Sequence, residues 1–210
     1  MVELPDLPNT VASVGSCVAD VSNWLHCNRL LCNNDKTEYL LIRSKFSRLT
    51  FTIPSIRIVD CVVDPSDSAR NLGVIFDKHM SLQPHIMSVA RSANIGIRNI
   101  ARIRKYLSFE AARLYVQLLV TSKLDFCNSL LSGLPAASLK PLVKAQNAAA
   151  RLITKTRRCD HITPILRELH WLPVAERVQY KTLMLTFRAL HGLAPPYLSD
   201  LLPSITSIIF

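Results

Sequence analysis

Apolar residues recur every three or four positions in the second half of the chain, which is the spacing of one helical face. The members of this apolar stripe are Ile86, Val89, Ala93, Ile97, Ile100, Ile103 and Leu107. At about 100° per residue, four basic residues fall together on the opposite side. They are Arg91, Arg98, Arg102 and Lys105, and we call them the first basic stripe. The pattern predicts a helix over about 82–106 with one buried and one basic face.

A second helix is predicted to carry the same arrangement. We expect Ser138 to cap it and the helix to run to about Thr156, with Leu142 and Ile153 on its apolar side. The second basic stripe consists of Lys140, Lys144, Arg151, Lys155 and Arg158. Neither stripe contains a carboxylate, and like charges four residues apart repel each other. Phosphates would neutralise both stripes, so they predict binding to the backbone of RNA or an RNA–DNA duplex. The alternative is that both stripes are ordinary solvated helix faces.

Net charge divides the chain into two regions. The whole sequence has 25 basic and 15 acidic residues, a formal charge of +10. Residues 1–90 hold 8 basic and 9 acidic residues, whereas residues 91–210 hold 17 and 6. The positive excess therefore lies in the second region, which indicates a polyanionic partner there. We predict two domains, 1–81 and 82–210.

The two regions differ in predicted secondary structure. In the first, valines from Val11 to Val21 follow a helical spacing, and strand-like runs follow at 39–42, 49–53, 56–63 and 71–77. The second reads as helices throughout, with Ser108 as an N-cap and Gly192 closing a helix that begins at Val174. The predicted fold is therefore α+β: one helix on a small antiparallel sheet, followed by a helical bundle.

Residue patterns for catalysis and metal binding are weak. Two-metal phosphoryl transfer needs close carboxylates, and the sequence has no Asp-Asp pair. The five glycines are isolated, and the six cysteines lack the spacing of a zinc finger. We predict no metal, no cofactor and reduced, buried thiols, including Cys127. We also expect an intracellular protein without a membrane-spanning segment, because no apolar run approaches the ~20 residues that a bilayer requires.

Seven segments resemble, in order, the C-terminal part of reverse transcriptases from LINE-type (non-LTR) retrotransposons. They read NNDKTE at 33–38, NLGVIFD at 71–77, LDFCN at 124–128, QNAAARL at 146–152, HITPIL at 161–166, LHWLPV at 169–174 and LHGLAPPYL at 190–198. The resemblance covers roughly residues 15–202. It implies that the first domain is the end of a palm, and that the second is a thumb with the helices that follow it.

The resemblance also implies roles for single residues. Lys36 would match a palm lysine near the incoming nucleotide, although a solvated lysine at the start of a strand is an equal alternative. Leu72 and Gly73 would belong to a primer-grip hairpin. The Tyr-Ala-Asp-Asp turn and the earlier catalytic aspartate of the family are absent from this sequence, and Leu31 and Cys32 also depart from the family pattern.

These departures predict a truncated, non-catalytic fragment that retains a backbone-binding helical region. One alternative is a helical scaffold or interaction module with no role on nucleic acid. Another is an active polymerase, which would require a second chain to supply the aspartates.

Overall fold

The computed structural model of the chain describes residues 7–33, 36–45, 55–58 and 61–202. The chain divides into two compact units, Met1–Leu82 and Gln83–Phe210, which we call the N-terminal unit and the helical unit. Residues 83–90 contain no Lys, Arg, Asp or Glu, so the helical unit has the 17 basic and 6 acidic residues counted for 91–210. At a coarse level the predicted α+β class is confirmed, because helices accompany antiparallel strand pairs.

Within its described residues, the N-terminal unit contains one long helix and two antiparallel strand pairs. The elements are α1 (Leu7–Cys27), β1 (Ile56–Ile58), β2 (Cys61–Val63), β3 (Ser68–Asn71) and β4 (Val74–Asp77). Ile56 pairs with Val63 across the first hairpin, and both are buried. Val11 and Val18 of α1 pack against this pair together with Tyr39. The predicted helix is confirmed, but Val14 and Val21 of its apolar face are exposed.

The predicted strands differ from the observed ones. The run 56–63 forms two short paired strands, and β3–β4 is a separate pair, so the described residues contain no single sheet. The run 39–42 contributes only an isolated bridge between Tyr39 and Pro65. The expected strand at 49–53 lies outside the described residues. Short runs of β-branched residues indicate extended backbone, but periodicity alone does not show where such a run turns.

Leu72 and Gly73 form the turn between β3 and β4. Both have positive φ, 46° and 88°, as the loop of a tight two-residue hairpin requires. The predicted hairpin is therefore present. The expectation that Gly73 lies inside a strand is wrong, because the glycine provides the left-handed backbone of the turn. Leu72 is 89% exposed at its tip.

The helical unit contains seven α-helices within its described residues. They are α2 (Gln83–Ile103), α3 (Phe109–Val116), α4 (Ser122–Asp125), α5 (Ala136–Thr154), α6 (Ile162–Glu168), α7 (Val174–Leu190) and α8 (Pro196–Ser199). A π-helical turn, Gln117–Thr121, connects α3 to α4, and short 3₁₀ turns span Arg104–Tyr106 and Asn128–Leu131. Of the predicted apolar stripe on α2, Ile86, Ala93 and Ile100 are buried. The core also takes Leu142 and Ile153 from α5.

The helix ends test the predicted caps. The Ser108 hydroxyl accepts a hydrogen bond from the Ala111 amide (3.1 Å), and Gly192 has a φ of 67°, so both predicted helix boundaries are confirmed. Ser138 is not the N-cap of α5, because the extended backbone of Pro135 starts the helix earlier. Pro141 consequently lies inside α5, beyond the first turn.

The expectation of buried thiols is wrong for every cysteine whose side chain is described. The exposed cysteines are Cys17, Cys27, Cys32, Cys127 and Cys159. Cys127, expected in the core, has a φ of 50° at the turn that follows α4, and this turn lies at the surface. Within the described residues, no helix has both the length and the apolarity needed to cross a bilayer.

Candidate nucleic-acid interface

Helices α2 and α5 pack side by side and run parallel. Arg91 and Arg98 of α2 and Lys144 of α5 line one groove, which lies before the last turn of each helix. At the other end, the Arg104 side chain, just after α2, reaches the carbonyl groups of Leu152 and Ile153 in the last turn of α5. Two contacts in the same order along both helices fix the parallel direction. Arg91 and Arg98 of the first basic stripe therefore lie beside Lys140 and Lys144 of the second.

The groove between α2 and α5 has a volume of about 490 Å³. Its lining residues are Met87, Ala90, Arg91, Asn94 and Arg98 from α2, and Lys140, Pro141 and Lys144 from α5. Two arginines and two lysines face this space, and none of the lining residues is a carboxylate. The structure thus brings together four of the nine residues predicted to bind nucleic acid.

Ion pairs do not neutralise these four cations. In the part of the chain that the structure describes, the ion pairs join Lys78 to Asp67 (2.7 Å) and Arg177 to Asp125 (2.8 Å). Helices α2 and α5 themselves contain no acidic residue. The groove therefore presents a concentrated positive potential.

The remaining members of the first stripe do not line the groove. Arg102 is exposed in the last turn of α2. Lys105 lies in the 3₁₀ turn that follows, with its ammonium 4.7 Å from the centre of the Tyr106 ring. This distance is that of a cation–π contact, which holds Lys105 against its neighbour. A backbone that binds the groove would extend to Arg102, which lies about one turn of α2 beyond Arg98 and about three turns beyond Arg91.

The second stripe ends earlier than predicted. Because α5 stops at Thr154, Lys155 and Arg158 do not belong to its face, and the expectation of a five-member helical stripe is wrong for both. Lys155 adopts a left-handed conformation (φ 57°) that terminates the helix. Arg151 is half-buried and donates from Nη2 to the carbonyl of Asp160 (3.1 Å). Its guanidinium is thus directed to the turn after α5.

Arg104 is an important residue that the helical-wheel argument overlooked. It is only 8% exposed and donates to the carbonyls of Leu152 (2.8 Å), Ile153 (2.6 Å) and Leu107 (2.9 Å). The first two belong to the last turn of α5, whose carbonyls lack partners inside the helix. Arg104 therefore caps the C-terminus of α5 with hydrogen bonds and links it to the end of α2. The sequence feature that indicates its burial is its position four residues after Ile100, which places Arg104 on the apolar side of the helical wheel.

Arg177 forms a second cluster that the sequence did not reveal. Its Nη1 donates to both carboxylate oxygens of Asp125 (3.0 and 2.8 Å), and its Nε donates to the carbonyl of Leu172 (2.8 Å). The guanidinium also lies 5.8 Å from the ring centre of Trp171. These contacts join the segments 124–128 and 169–174, two of those on which the family resemblance rests. The cluster connects α4 to α7.

The other predicted site residues lie in the N-terminal unit. Lys36 is exposed, and its amide donates to the carbonyl of Asn33 (3.1 Å). Leu72 and Gly73 form the tip of the β3–β4 hairpin. Their assignment to a palm and a primer grip stays a prediction.

Comparison of the chain with protein-family models, with curated proteins and with solved structures found no match. No group of three or more His, Cys, Asp or Glu side chains able to hold a metal is present among the described residues.

Proposed function

We propose that this chain is a non-catalytic part of a LINE-type reverse transcriptase, and that its helical unit binds the sugar–phosphate backbone of RNA or an RNA–DNA duplex. The observation that carries the binding proposal is the groove between α2 and α5, where Arg91, Arg98, Lys140 and Lys144 meet without a carboxylate. The resemblance of the seven sequence segments supplies the class of protein.

The physical basis of binding is the release of counterions. Each cation that pairs with a phosphate frees ions condensed on the nucleic acid, so affinity falls as salt rises. Four such contacts correspond to a slope of about −3.6 in log K against log salt for a duplex. Contacts to phosphates carry no direct sequence information, so binding is sequence-independent. The positive charge of the helical unit as a whole, 17 basic against 6 acidic residues, accelerates encounter from a distance.

Binding is tested by reversing charge inside and outside the groove. The groove variant is Arg98→Glu with Lys144→Glu, and the matched control is Arg167→Glu with Arg188→Glu, two exposed positions on α6 and α7. Both lower the formal net charge from +10 to +6. Two lost charged contacts predict a loss of about 100-fold in affinity for an RNA–DNA duplex by fluorescence anisotropy. The affinity of the control variant should fall about fivefold or less, because it loses only long-range electrostatic attraction. Equal losses in both variants would show that the groove is not the binding surface.

The proposal that the chain is non-catalytic has its own test. The sequence has no adjacent aspartates, which two-metal phosphoryl transfer would use to hold its ions. A primer-extension assay with the isolated protein, Mg²⁺ and nucleotides should show no incorporation. Primer extension above a control without protein would overturn this part of the proposal.

One observation favours the alternative of a helical interaction module. Four large side chains on α7 follow one helical face and are exposed: Tyr180 (59%), Leu183 (61%), Phe187 (55%) and Leu190 (46%). Such an apolar face fits a protein partner. Size-exclusion chromatography separates the two functions. An oligomer that persists in high salt and after nuclease treatment, together with absent nucleic-acid binding, would favour the module.

A further inference from the structure

The groove between α2 and α5 has a floor and a rim of different chemistry. Ala90 is buried and Pro141 is half-buried, and with Met87 they provide the apolar lining. The four cations that line the groove are all exposed, so they form its rim. Asn94 lies between Arg91 and Arg98 along α2, and its carboxamide is the uncharged polar group of the lining.

Phosphates alone do not account for this floor. A phosphate is strongly hydrated and gains little from apolar surface, so rim cations would be sufficient to hold a backbone. A duplex also cannot enter the groove, because directly packed helices lie only about 8–10 Å apart. The volume of about 490 Å³ lies instead within the range of pockets that enclose small organic groups. An unpaired base has apolar faces and a polar edge, and it is small enough to enter.

We propose that the groove holds an unpaired nucleotide of the strand whose phosphates the rim binds. The base rests on Met87 and Pro141, and the Asn94 carboxamide, which both donates and accepts, contacts the base edge. The guanidinium planes of Arg91 and Arg98 provide stacking surfaces where the groove lining has no aromatic ring. The preferred ligand is therefore a duplex with an adjoining unpaired segment. This inference rests on the proposed function, because the rim cations still hold the phosphates.

The test compares two RNA–DNA duplexes with equal numbers of phosphates, one blunt and one with a short single-stranded overhang. By fluorescence anisotropy, the overhang duplex should bind about tenfold more tightly, the fold-change expected from one added hydrogen bond between the Asn94 carboxamide and the base edge. Asn94→Leu should abolish this preference. Asn99→Leu is the matched control, because Asn99 is exposed on the same helix and does not line the groove. Neither variant changes the charge, so the salt slope should stay constant.

The outcomes separate this inference from the proposed function. Equal affinity of the wild-type protein for both duplexes overturns the unpaired-nucleotide site, and the backbone-binding function then still stands if Arg98→Glu with Lys144→Glu weakens both. Absence of binding to either duplex overturns both proposals. If Asn94→Leu lowers the thermal midpoint, Met87→Gln at the exposed edge of the floor replaces it. An overhang preference that survives both substitutions also contradicts the inference.

Discussion

Replacing Arg104 by methionine should weaken the contact between the ends of α2 and α5 and destabilise the helical unit. Methionine keeps most of the apolar stem but removes the guanidinium that donates to the carbonyls of Leu152, Ile153 and Leu107. Hydrogen bonds from a charged donor contribute about 1.5–3 kcal/mol each, so three bonds give a gross loss of about 4.5–9 kcal/mol. Part of this loss in stability is offset, because water can hydrogen-bond to the freed carbonyls and because the variant no longer buries a charge. We expect a net loss of about 3–5 kcal/mol in the free energy of unfolding.

A loss of this size is a large part of the stability of an ordinary domain, about 5–15 kcal/mol. For the helical unit it corresponds to a fall of about 10–20 °C in the thermal midpoint, measured by circular dichroism. Arg102→Met is the matched control, because Arg102 is exposed on the last turn of α2. It should change stability by less than about 0.5 kcal/mol. If Arg104→Met and Arg102→Met unfold at the same temperature, Arg104 does not join α2 to α5 and the reasoning fails.

Two further predictions concern backbone packing and pH. Gly96→Ala should lower the free energy of unfolding, measured by denaturant titration, by about 1–2 kcal/mol, because a Cβ at this position would lie 2.9 Å from the carbonyl oxygen of Leu119. Helix propensity alone predicts a gain of about 1 kcal/mol, so stabilisation would contradict the close packing. Burial raises the pKa of Asp77, but hydrogen bonds from Ser81, Leu82 and His79 outweigh it and hold that pKa below its ordinary value. The carboxylate therefore stabilises the fold above the unfolded pKa, and this contribution is lost as the pH falls through the lower folded pKa. Asp77→Asn should flatten the decrease in urea midpoint below about pH 4, and an unchanged pH profile would refute this role.

Helical periodicity predicted the helical unit well because its signal comes from local geometry. The boundaries of α2, the Ser108 cap and the Gly192 terminus all depend on residues close in sequence. The N-cap prediction for Ser138 was wrong although its side chain suits an N-cap. The rigid, extended backbone of Pro135, three residues earlier, starts the helix first. Local preference indicates that a helix begins, and the competing proline decides where.

The groove could be predicted only in part. The sequence placed Arg91, Arg98, Lys140 and Lys144 on two basic helix faces, but wheel diagrams contain no information on how two helices pack. The parallel arrangement depends on Arg104, whose partners are backbone carbonyls about 48 residues away and leave no trace in side-chain patterns. For the same reason, the sequence did not predict the ion pair between Arg177 and Asp125, which are 52 residues apart.

Binding of phosphates in the groove between α2 and α5 is the central property proposed for this protein. The most direct measurement is the salt dependence of affinity for an RNA–DNA duplex. The wild-type protein should give a slope of about −3 to −4 in log K against log salt, and Arg98→Glu with Lys144→Glu should reduce its magnitude to about 2 or less. A flat plot for the wild-type protein, or the same slope in the wild-type protein and this variant, would contradict the claim.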